Sequence, residues 1–142
     1  MRTLALDVGT KTIGVAVSDE LGITANGVAT IARTNIGYDK AELMKIIERY
    51  APSELLVGIP YRSDGSVGKR GEEIIKFAED LKAEFGLPVK YWDESFSTSN
   101  AERFLIDADV GRKKRKRVID KMAAVYILAE YLESKRPIRK GG

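Results

Sequence analysis

The chain has 142 residues, with 32% charged residues, 44% hydrophobic residues and a net charge of +3. A chain of this length can bury enough apolar surface to fold as one domain without disulfides. It contains no Cys and no His, which excludes thiol and Ser-His nucleophiles and zinc sites built from thiolate or imidazole. Catalysis would then depend on carboxylates, Lys, Arg, Tyr, Ser or Thr. Any metal is expected to be Mg²⁺ or Mn²⁺, which prefer oxygen ligands.

Charge is unevenly distributed along the chain. Residues 1–111 have a net charge of −5, whereas residues 112–142 have a net charge of +8. This polarity predicts a polyanionic partner, although the tail from about residue 135 can also be read as a solvated surface segment. No apolar stretch reaches the roughly 18 residues that a membrane helix needs, and the N-terminal apolar segment is too short for a signal peptide. A cytoplasmic location is therefore expected.

Three short apolar segments near the N-terminus predict β-strands. They cover residues 3–8, 13–18 and 27–32, and the second and third alternate apolar with small or polar residues, which is the period of a strand. Residues 9–12 form a loop of hairpin length between the first two segments. The three segments are therefore expected to form an antiparallel meander.

Beyond the meander the hydrophobic period becomes helical in two segments. Apolar residues recur at spacings of three and four over residues 43–50 and 74–85. Asp39 and Glu42 supply an N-cap signature for the first helix, and Gly86 is a stop signal for the second. Both helices are expected to carry the chain across a sheet.

The remaining segments complete the predicted fold. Two continuous apolar runs, residues 55–59 and 89–92, are typical of strands buried on both faces of a parallel sheet. Residues 61–71 are predicted to form a loop. A short helix is predicted over residues 99–106, and a final helix from about residue 118 to residue 132.

This order of elements predicts an α/β fold. Strands joined by helical crossovers run parallel to each other, with right-handed connections. We therefore expect a mixed five-stranded sheet, consisting of the three-strand meander and two parallel strands, with helices on both faces. Since no internal repeat or linker divides the sequence, residues 1–142 are predicted to form a single domain.

Acidic residues fall where this sheet would bring them together. Asp7 lies inside an apolar strand, Asp93 and Glu94 end the last strand, and Asp120 is predicted to open the final helix. The carboxyl ends of neighbouring parallel strands meet at one crevice, so these side chains are expected to cluster there. Structural alternatives exist: Asp120 could only stabilise a helix N-terminus, and either acid of the pair could be a turn residue.

A cluster of carboxylates indicates a reaction class. Carboxylates a few ångströms apart repel each other, so protons or divalent cations must lie among them at neutral pH. Two metal ions about 3.5–4 Å apart, held by such carboxylates, activate water in the cleavage of phosphodiester bonds. The sequence therefore predicts a metal-dependent nuclease whose chemistry needs no His.

Several blocks of sequence resemble one known family. They are DVGTKTIGVAVSD at residues 7–19, VGIP at 57–60, DGS at 64–66, DE at 93–94 and IDKMAA at 119–124. In this order they look like the YqgF family, bacterial proteins with an RNase H-like fold that are described as Holliday junction resolvases and as nucleases that process the small-subunit ribosomal RNA precursor. The blocks extend over nearly the whole chain.

The resemblance implies roles for individual residues. By position, Asp7, Glu94 and Asp120 correspond to the acidic triad of the family, which implies that they are both catalytic and metal-binding, with Mg²⁺ or Mn²⁺ as the cofactor. The sequence departs from the family pattern at Thr12 and Ser95, where the family usually has basic residues. The implied substrate is a nucleic acid, either a ribosomal RNA precursor or branched DNA.

Two other classes of protein share parts of this pattern. The Asp-x-Gly-Thr stretch at residues 7–10 also resembles the phosphate loop of the actin and sugar-kinase superfamily, but those enzymes hold ATP between two such domains and this chain has one. The second alternative is a nucleic-acid-binding module without catalysis. The chain is compatible with a monomer or a homodimer, since symmetric junction cleavage calls for two active sites but no heptad pattern predicts a dimer.

A run of six basic residues precedes the final predicted helix. Six like charges without an apolar anchor predict a mobile loop, either a solvated spacer or a segment that binds phosphates beside the acidic cluster. Lys11, Lys69 and Arg70 are further candidates for contacts with nucleic acid. The run consists of Arg112, Lys113, Lys114, Arg115, Lys116 and Arg117.

Overall fold

The computed structural model describes residues 1–94 and 112–135, with the backbone alone for residues 112–121. The short helix predicted over residues 99–106 and most of the basic tail lie outside these residues. The elements in chain order are β1 (Thr3–Val8), β2 (Thr12–Ser18), β3 (Ala25–Ala32), α1 (Ile36–Tyr50), β4 (Glu54–Ile59), α2 (Lys69–Phe85), β5 (Val89–Asp93) and α3 (Arg112–Ser134).

The five strands form one mixed sheet in the order β3-β2-β1-β4-β5. β1 pairs with β2, and β2 with β3, in antiparallel orientation, whereas β4 lies parallel to both β1 and β5. This confirms the predicted meander and the predicted parallel strands. Because β1, β4 and β5 are adjacent and parallel, their carboxyl ends lie at the same edge of the sheet.

Each face of the sheet has its own apolar core. The larger core packs α1 and α2 against side chains such as Leu6, Val57 and Ile59. The smaller core packs α3 against the other face and contains Ala5 and Leu56. Successive side chains of a strand point to opposite faces, so strands covered on both faces have continuous apolar sequences.

The first helix begins earlier than predicted. Its N-cap is Asn35, whose side chain accepts a hydrogen bond from the backbone N–H of Tyr38 at 2.9 Å. The N-cap assigned to Asp39 is therefore wrong, because Asn35 is an equally strong capping residue and lies four positions upstream. Asp39 lies in the first turn instead, where it is 1% exposed and forms an ion pair with Arg33.

The last two helices also begin earlier than predicted. Helix α2 starts at Lys69, so the loop is shorter than residues 61–71. Helix α3 starts at Arg112, so the basic run belongs to a helix and its assignment as a mobile loop is wrong. Lys and Arg have high intrinsic helix propensity, which outweighs the repulsion between their charges here. Asp120 is consequently the ninth residue of α3 and does not open it.

None of the helices in the described part of the chain is both long and apolar enough to cross a membrane.

Candidate active site

Two of the predicted acidic residues meet at the carboxyl edge of the sheet. Asp7 lies near the end of β1, opposite Gly14 of β2. Glu94 directly follows β5, and its backbone N–H donates a hydrogen bond to the Ile59 carbonyl at 3.1 Å. β4 lies between these two strands, and the two carboxyl groups interact across its end. The predicted convergence of Asp7 and Glu94 is therefore observed.

The surroundings of Glu94 favour its neutral form. Burial, a side-chain hydrogen bond with Asp7 and repulsion from the Asp7 carboxylate raise the pKa of Glu94 to about 9, against the opposing charge of Arg70. A hydrogen bond between two carboxyl groups requires that one of them carries a proton. Two ionised carboxylates at this distance repel each other. Either a proton or a bound cation removes this repulsion.

Glu94 is separated from β4 by very little space. A Cβ atom added to Gly58 would lie 2.6 Å from Glu94 Oε2 and 3.1 Å from the Ile127 Cδ1 atom of α3. A Cβ atom at this position is therefore incompatible with the observed Glu94 conformation. Gly58 is a site residue that the sequence analysis missed, although an isolated Gly inside an apolar strand does indicate close approach to another group.

The Glu94 carboxyl group can accept a further ligand. Its Oε2 atom is buried and has no hydrogen-bond partner among the described residues. Buried oxygens without partners are costly, so a carboxyl group that contains one and also interacts with a second carboxylate fits a cation with a preference for oxygen ligands. No group of three or more acidic side chains that could hold a metal ion occurs within the described residues. Asp7 and Glu94 would thus contribute two ligands, and others must come from elsewhere.

The acidic pair at the end of β5 divides into two different environments. Asp93 is exposed, whereas Glu94 is only partly exposed and its Oε2 atom is buried. The sequence left open which of the two faces the crevice, and the structure directs Glu94 towards Asp7. Asp120 lies in α3, in the part described by its backbone alone, so the predicted cluster of Asp7, Glu94 and Asp120 stays a prediction.

Helix α3 crosses this edge with a defined direction. Near the start of β4, the Tyr131 hydroxyl donates a hydrogen bond to Glu54 Oε2 at 2.9 Å. Near the end of β4, Ile127 approaches Gly58. The helix is therefore antiparallel to β4, and the turns that precede Ile127 extend towards the edge that carries Glu94.

The predicted basic residues outside the run have different surroundings. Lys11 in the β1–β2 turn and Lys69 at the start of α2 are exposed. Arg70 is part of the site, because its Nη2 atom donates a hydrogen bond to the Val8 carbonyl at 2.7 Å and its Nη1 atom forms an ion pair with Glu73 at 3.2 Å. Arg70 thus anchors the end of β1 directly beside Asp7.

A second arginine holds the next carbonyl along the chain. Arg33 Nη1 donates a hydrogen bond to the Gly9 carbonyl at 2.8 Å. No pattern in the sequence distinguishes Arg33, since only the tertiary fold brings residues 9 and 33 together. A cavity of about 690 Å³ lies at the opposite edge of the sheet. It is lined by residues such as Thr3 and Glu54 and does not include Asp7 or Glu94.

The raised pKa of Glu94 predicts how stability depends on pH in the absence of metal. The folded state favours protonated Glu94, so this contribution is complete below the ordinary carboxyl pKa of 4.5 and is lost as the pH rises towards about 9. We expect the melting temperature in EDTA to fall from pH 5.5 to pH 8.5 by several degrees more for the wild type than for Glu94→Gln. Parallel melting profiles for the two proteins would contradict the assignment.

Comparison with known proteins points to nucleases. A family model described as Holliday junction resolvase, RuvX, matches residues 1–134. A relative from Geobacillus kaustophilus, named "Putative pre-16S rRNA nuclease", is 56% identical over 138 residues, which cover 96% of this chain and 100% of the relative. A relative of the same name from Clostridium novyi is 49% identical and covers 94% of this chain and 99% of its own length.

Solved structures of two resolvases have the same fold. RuvC of T. thermophilus, in complex with a Holliday junction substrate, has a TM-score of 0.61 at 15% identity and covers 95% of this chain and 96% of its own. The Fowlpox virus resolvase, in complex with Holliday junction DNA, has a TM-score of 0.59 at 16% identity and covers 94% of this chain and 98% of its own. The fold is therefore RNase H-like, as the sequence resemblance implied.

Proposed function

The chain belongs to the RuvX family of Holliday junction resolvases, the family also called YqgF, and from this premise we propose that Asp7, Glu94 and Asp120 form its metal-dependent phosphodiesterase site. The family consists of nucleases, that is, hydrolases that act on phosphodiester bonds. The observation that carries the proposal is the meeting of Asp7 with the buried Glu94 carboxyl group at the edge where β1 and β5 end.

The proposed roles of the acidic residues follow from their surroundings. Asp7 and Glu94 offer oxygen ligands of the type that Mg²⁺ and Mn²⁺ prefer. When bound between carboxylates, such ions supply an activated water molecule and stabilise the leaving oxygen. Gly58 leaves the space that Glu94 occupies. Without a cation, ionisation of both Asp7 and Glu94 is unfavourable because the two carboxylates repel each other. The site is therefore suited to bind a cation.

The geometry of α3 supports Asp120 as the third ligand. Residue 120 precedes Ala124 by four positions and Ile127 by seven, so it belongs to the helix face that buries both of these residues against the sheet. With a rise of 1.5 Å per residue, it is roughly 10 Å further along the helix than Ile127. Since α3 is antiparallel to β4, this displacement leads towards the edge that carries Glu94.

We propose that the substrate is the precursor of small-subunit ribosomal RNA. Relatives named "Putative pre-16S rRNA nuclease" share about half of their residues with this chain over almost its entire length. The likeness to junction-bound resolvases, at 15–16% identity, supports the fold alone. A ribosomal RNA precursor is available in the bacterial cytoplasm, which is the compartment that we propose.

A panel of substrates tests this proposal. Purified protein is incubated with precursor ribosomal RNA, single-stranded RNA of unrelated sequence and four-way junction DNA, each with Mg²⁺, with Mn²⁺ and with EDTA. We expect metal-dependent cleavage of the precursor RNA. Preferential cleavage of the junction would instead assign the DNA substrate. Binding without cleavage of any substrate would identify a nucleic-acid-binding module and contradict the proposed activity.

We further propose that the basic run at residues 112–117 binds phosphates. These residues form the first turns of α3, which leads into the position of Asp120. Each neutralised phosphate releases counterions, so log affinity falls with log salt by about 0.7 per contact on single strands and 0.9 on duplex DNA. The alternative, a solvated helix surface, predicts no change in this slope when the run is neutralised.

Replacing Lys113, Lys114 and Lys116 by Ala should flatten the salt slope by roughly two to three units and weaken all nucleic-acid sequences alike. Binding is measured by fluorescence anisotropy at several salt concentrations, in an Asp7→Asn background that prevents cleavage. A triple replacement of Lys45, Lys82 and Lys90 by Ala is the control, since these lysines are equally charged and exposed but lie away from the acidic pair. Equal slopes for the run variant and wild type would show that the run does not bind phosphates, and Lys11, Lys69 and Arg70 would then be the better candidates for the contacts.

A further inference from the structure

We propose that Arg33 is a positioning residue for the acidic site, holding the turn that follows Asp7 through an ion pair with the buried Asp39. The inference rests on the proposed function and assigns a role to two charged residues that the active-site cluster does not contain. Their effect on the site runs through the backbone of Gly9, two residues further along the chain.

A continuous set of hydrogen bonds links Asp39 to this turn. Arg33 Nε donates to Asp39 Oδ2 at 2.9 Å, and Arg33 Nη1 donates to the Gly9 carbonyl at 2.8 Å. The backbone N–H of Arg33 also donates to the Lys11 carbonyl at 2.8 Å. One residue therefore holds two carbonyl groups of the β1–β2 turn, one with its side chain and one with its backbone.

The turn itself has little room for alternative conformations. The Gly9 N–H donates to the Thr12 carbonyl at 2.8 Å, and a Cβ atom at Gly9 would lie only 3.0 Å from that carbonyl oxygen. The paired strands end at Val8 and Ile13, so the Gly9 carbonyl lies beyond the sheet ladder. The guanidinium of Arg33 replaces the missing ladder partner. Arg70 holds the preceding carbonyl, that of Val8, with a hydrogen bond of 2.7 Å.

Burial and several contacts fix the orientation of the Arg33–Asp39 ion pair. The Asp39 side chain is 2% exposed and the Arg33 side chain 18% exposed. Asp39 Oδ1 accepts a second hydrogen bond, from the Thr34 N–H at 3.2 Å. A buried carboxylate is tolerated only when it is paired and hydrogen-bonded, and removing one partner costs more than the pair contributes. The guanidinium also lies over the Phe77 ring, 5.0 Å from its centroid.

These contacts require the shape of arginine. A planar guanidinium can donate to Asp39 and to Gly9 in different directions while it stacks on Phe77. The ammonium group of lysine is a point charge and cannot occupy both donor positions. Arg33→Lys therefore keeps the charge but should release the Gly9 carbonyl, and Asp7 at the end of the same strand should lose its fixed position relative to Glu94.

The test compares Arg33→Lys with wild type in three measurements. We expect hydrogen exchange at the Gly9 amide to accelerate by about tenfold or more, Mn²⁺ affinity measured by electron paramagnetic resonance to fall by about tenfold, and kcat for precursor RNA to fall by about tenfold, while KM changes by less than about twofold. Lys40→Gln is the matched control, because it breaks the Lys40–Glu84 pair between α1 and α2, 2.9 Å long, without touching the turn.

A second variant guards against misfolding of the first. Phe77→Leu keeps both charges of the ion pair and replaces the ring beneath the guanidinium by a smaller apolar group, so smaller changes in the same direction are expected. Because Phe77 is 7% exposed and part of the core, all measurements are made well below the melting temperature of the variant. Wild-type exchange at Gly9 and wild-type Mn²⁺ affinity in folded Arg33→Lys would overturn the inference. A raised KM with unchanged kcat would also overturn it, because that pattern indicates direct substrate contact. If wild type itself fails to cleave, the proposed function fails, while the exchange measurement still tests the positioning role.

Discussion

Replacing Asp7 by Asn is expected to lower the rate of RNA cleavage by more than about 100-fold while nucleic-acid binding is unchanged or tighter. Loss of an outer-shell partner of a metal ligand costs about 10–100-fold, so loss of a ligand should cost more. The substitution also removes a negative charge that would face phosphate. Cleavage is measured with saturating Mg²⁺ and affinity by anisotropy in EDTA.

The melting temperature separates this chemical effect from damage to the fold. Asp7 repels Glu94 when both are ionised, and an amide at position 7 ends that repulsion. Without metal, the variant should therefore melt at the wild-type temperature or above it. Added Mg²⁺ should raise the melting temperature of wild type more than that of the variant, since ligands that bind only the folded state stabilise it.

Asp19→Asn is a suitable control for the same chemical change elsewhere. Asp19 follows β2 at the opposite edge of the sheet, where its carboxylate accepts hydrogen bonds from the backbone N–H groups of Ile23 and Thr24. Its substitution should leave cleavage within about twofold of wild type, as expected for a surface change away from the site. If Asp7→Asn lost binding and cleavage in parallel, or melted far below wild type, the metal-ligand role of Asp7 would be refuted.

The second large effect is expected from Gly58→Ala. The new methyl group would lie 2.6 Å from Glu94 Oε2, so Glu94 must move away from its position beside Asp7. We expect cleavage to fall by about 10–100-fold, a cost similar to that of a displaced metal environment. Overpacking should also lower the free energy of unfolding by about 1–3 kcal/mol. Cleavage is measured well below the melting temperature.

Gly71→Ala distinguishes the two consequences of overpacking. Its added Cβ atom would lie 2.8 Å from the Val67 side chain and 3.4 Å from that of Ile59, so its close contacts are with apolar side chains. It should therefore reduce stability without a comparable loss of cleavage. The two variants would contradict this prediction if each lost cleavage activity only in proportion to its loss of stability. The space at Gly58 would then have no specific role in placing Glu94 beside Asp7.

The requirement for space at Gly58 explains why a mid-strand glycine is tolerated. Glycine in a strand interior sacrifices packing and conformational entropy. Here the strand is hydrogen-bonded on both sides, to β1 and to β5, and the loss is offset by neighbours such as Val57 and Ile59, both fully buried. β4 thus remains stable while one face of it accommodates a carboxyl group.

Local sequence determined most of the architecture. Alternation in the first three segments and the continuous apolar runs of β4 and β5 predicted the strands, because the period of burial is a property of a few neighbouring residues. The topology then required Asp7 and Glu94 to converge. Start signals were less decisive. Asn35 and Asp39 are both good capping residues. In the structure Asn35 caps the helix, and Asp39 is buried in the first turn, where it pairs with Arg33.

The amino-acid sequence by itself therefore determined the order and type of the strands, the family, and the edge at which Asp7 and Glu94 meet. Only the tertiary structure decided which acid of the Asp93–Glu94 pair is buried, how closely Gly58 approaches Glu94 and how Arg33 reaches Gly9. Secondary-structure patterns depend on spacings of two to four residues. These contacts join residues 24 to 36 positions apart, and their energies depend on burial and on distances that exist only when the strands and helices are packed together.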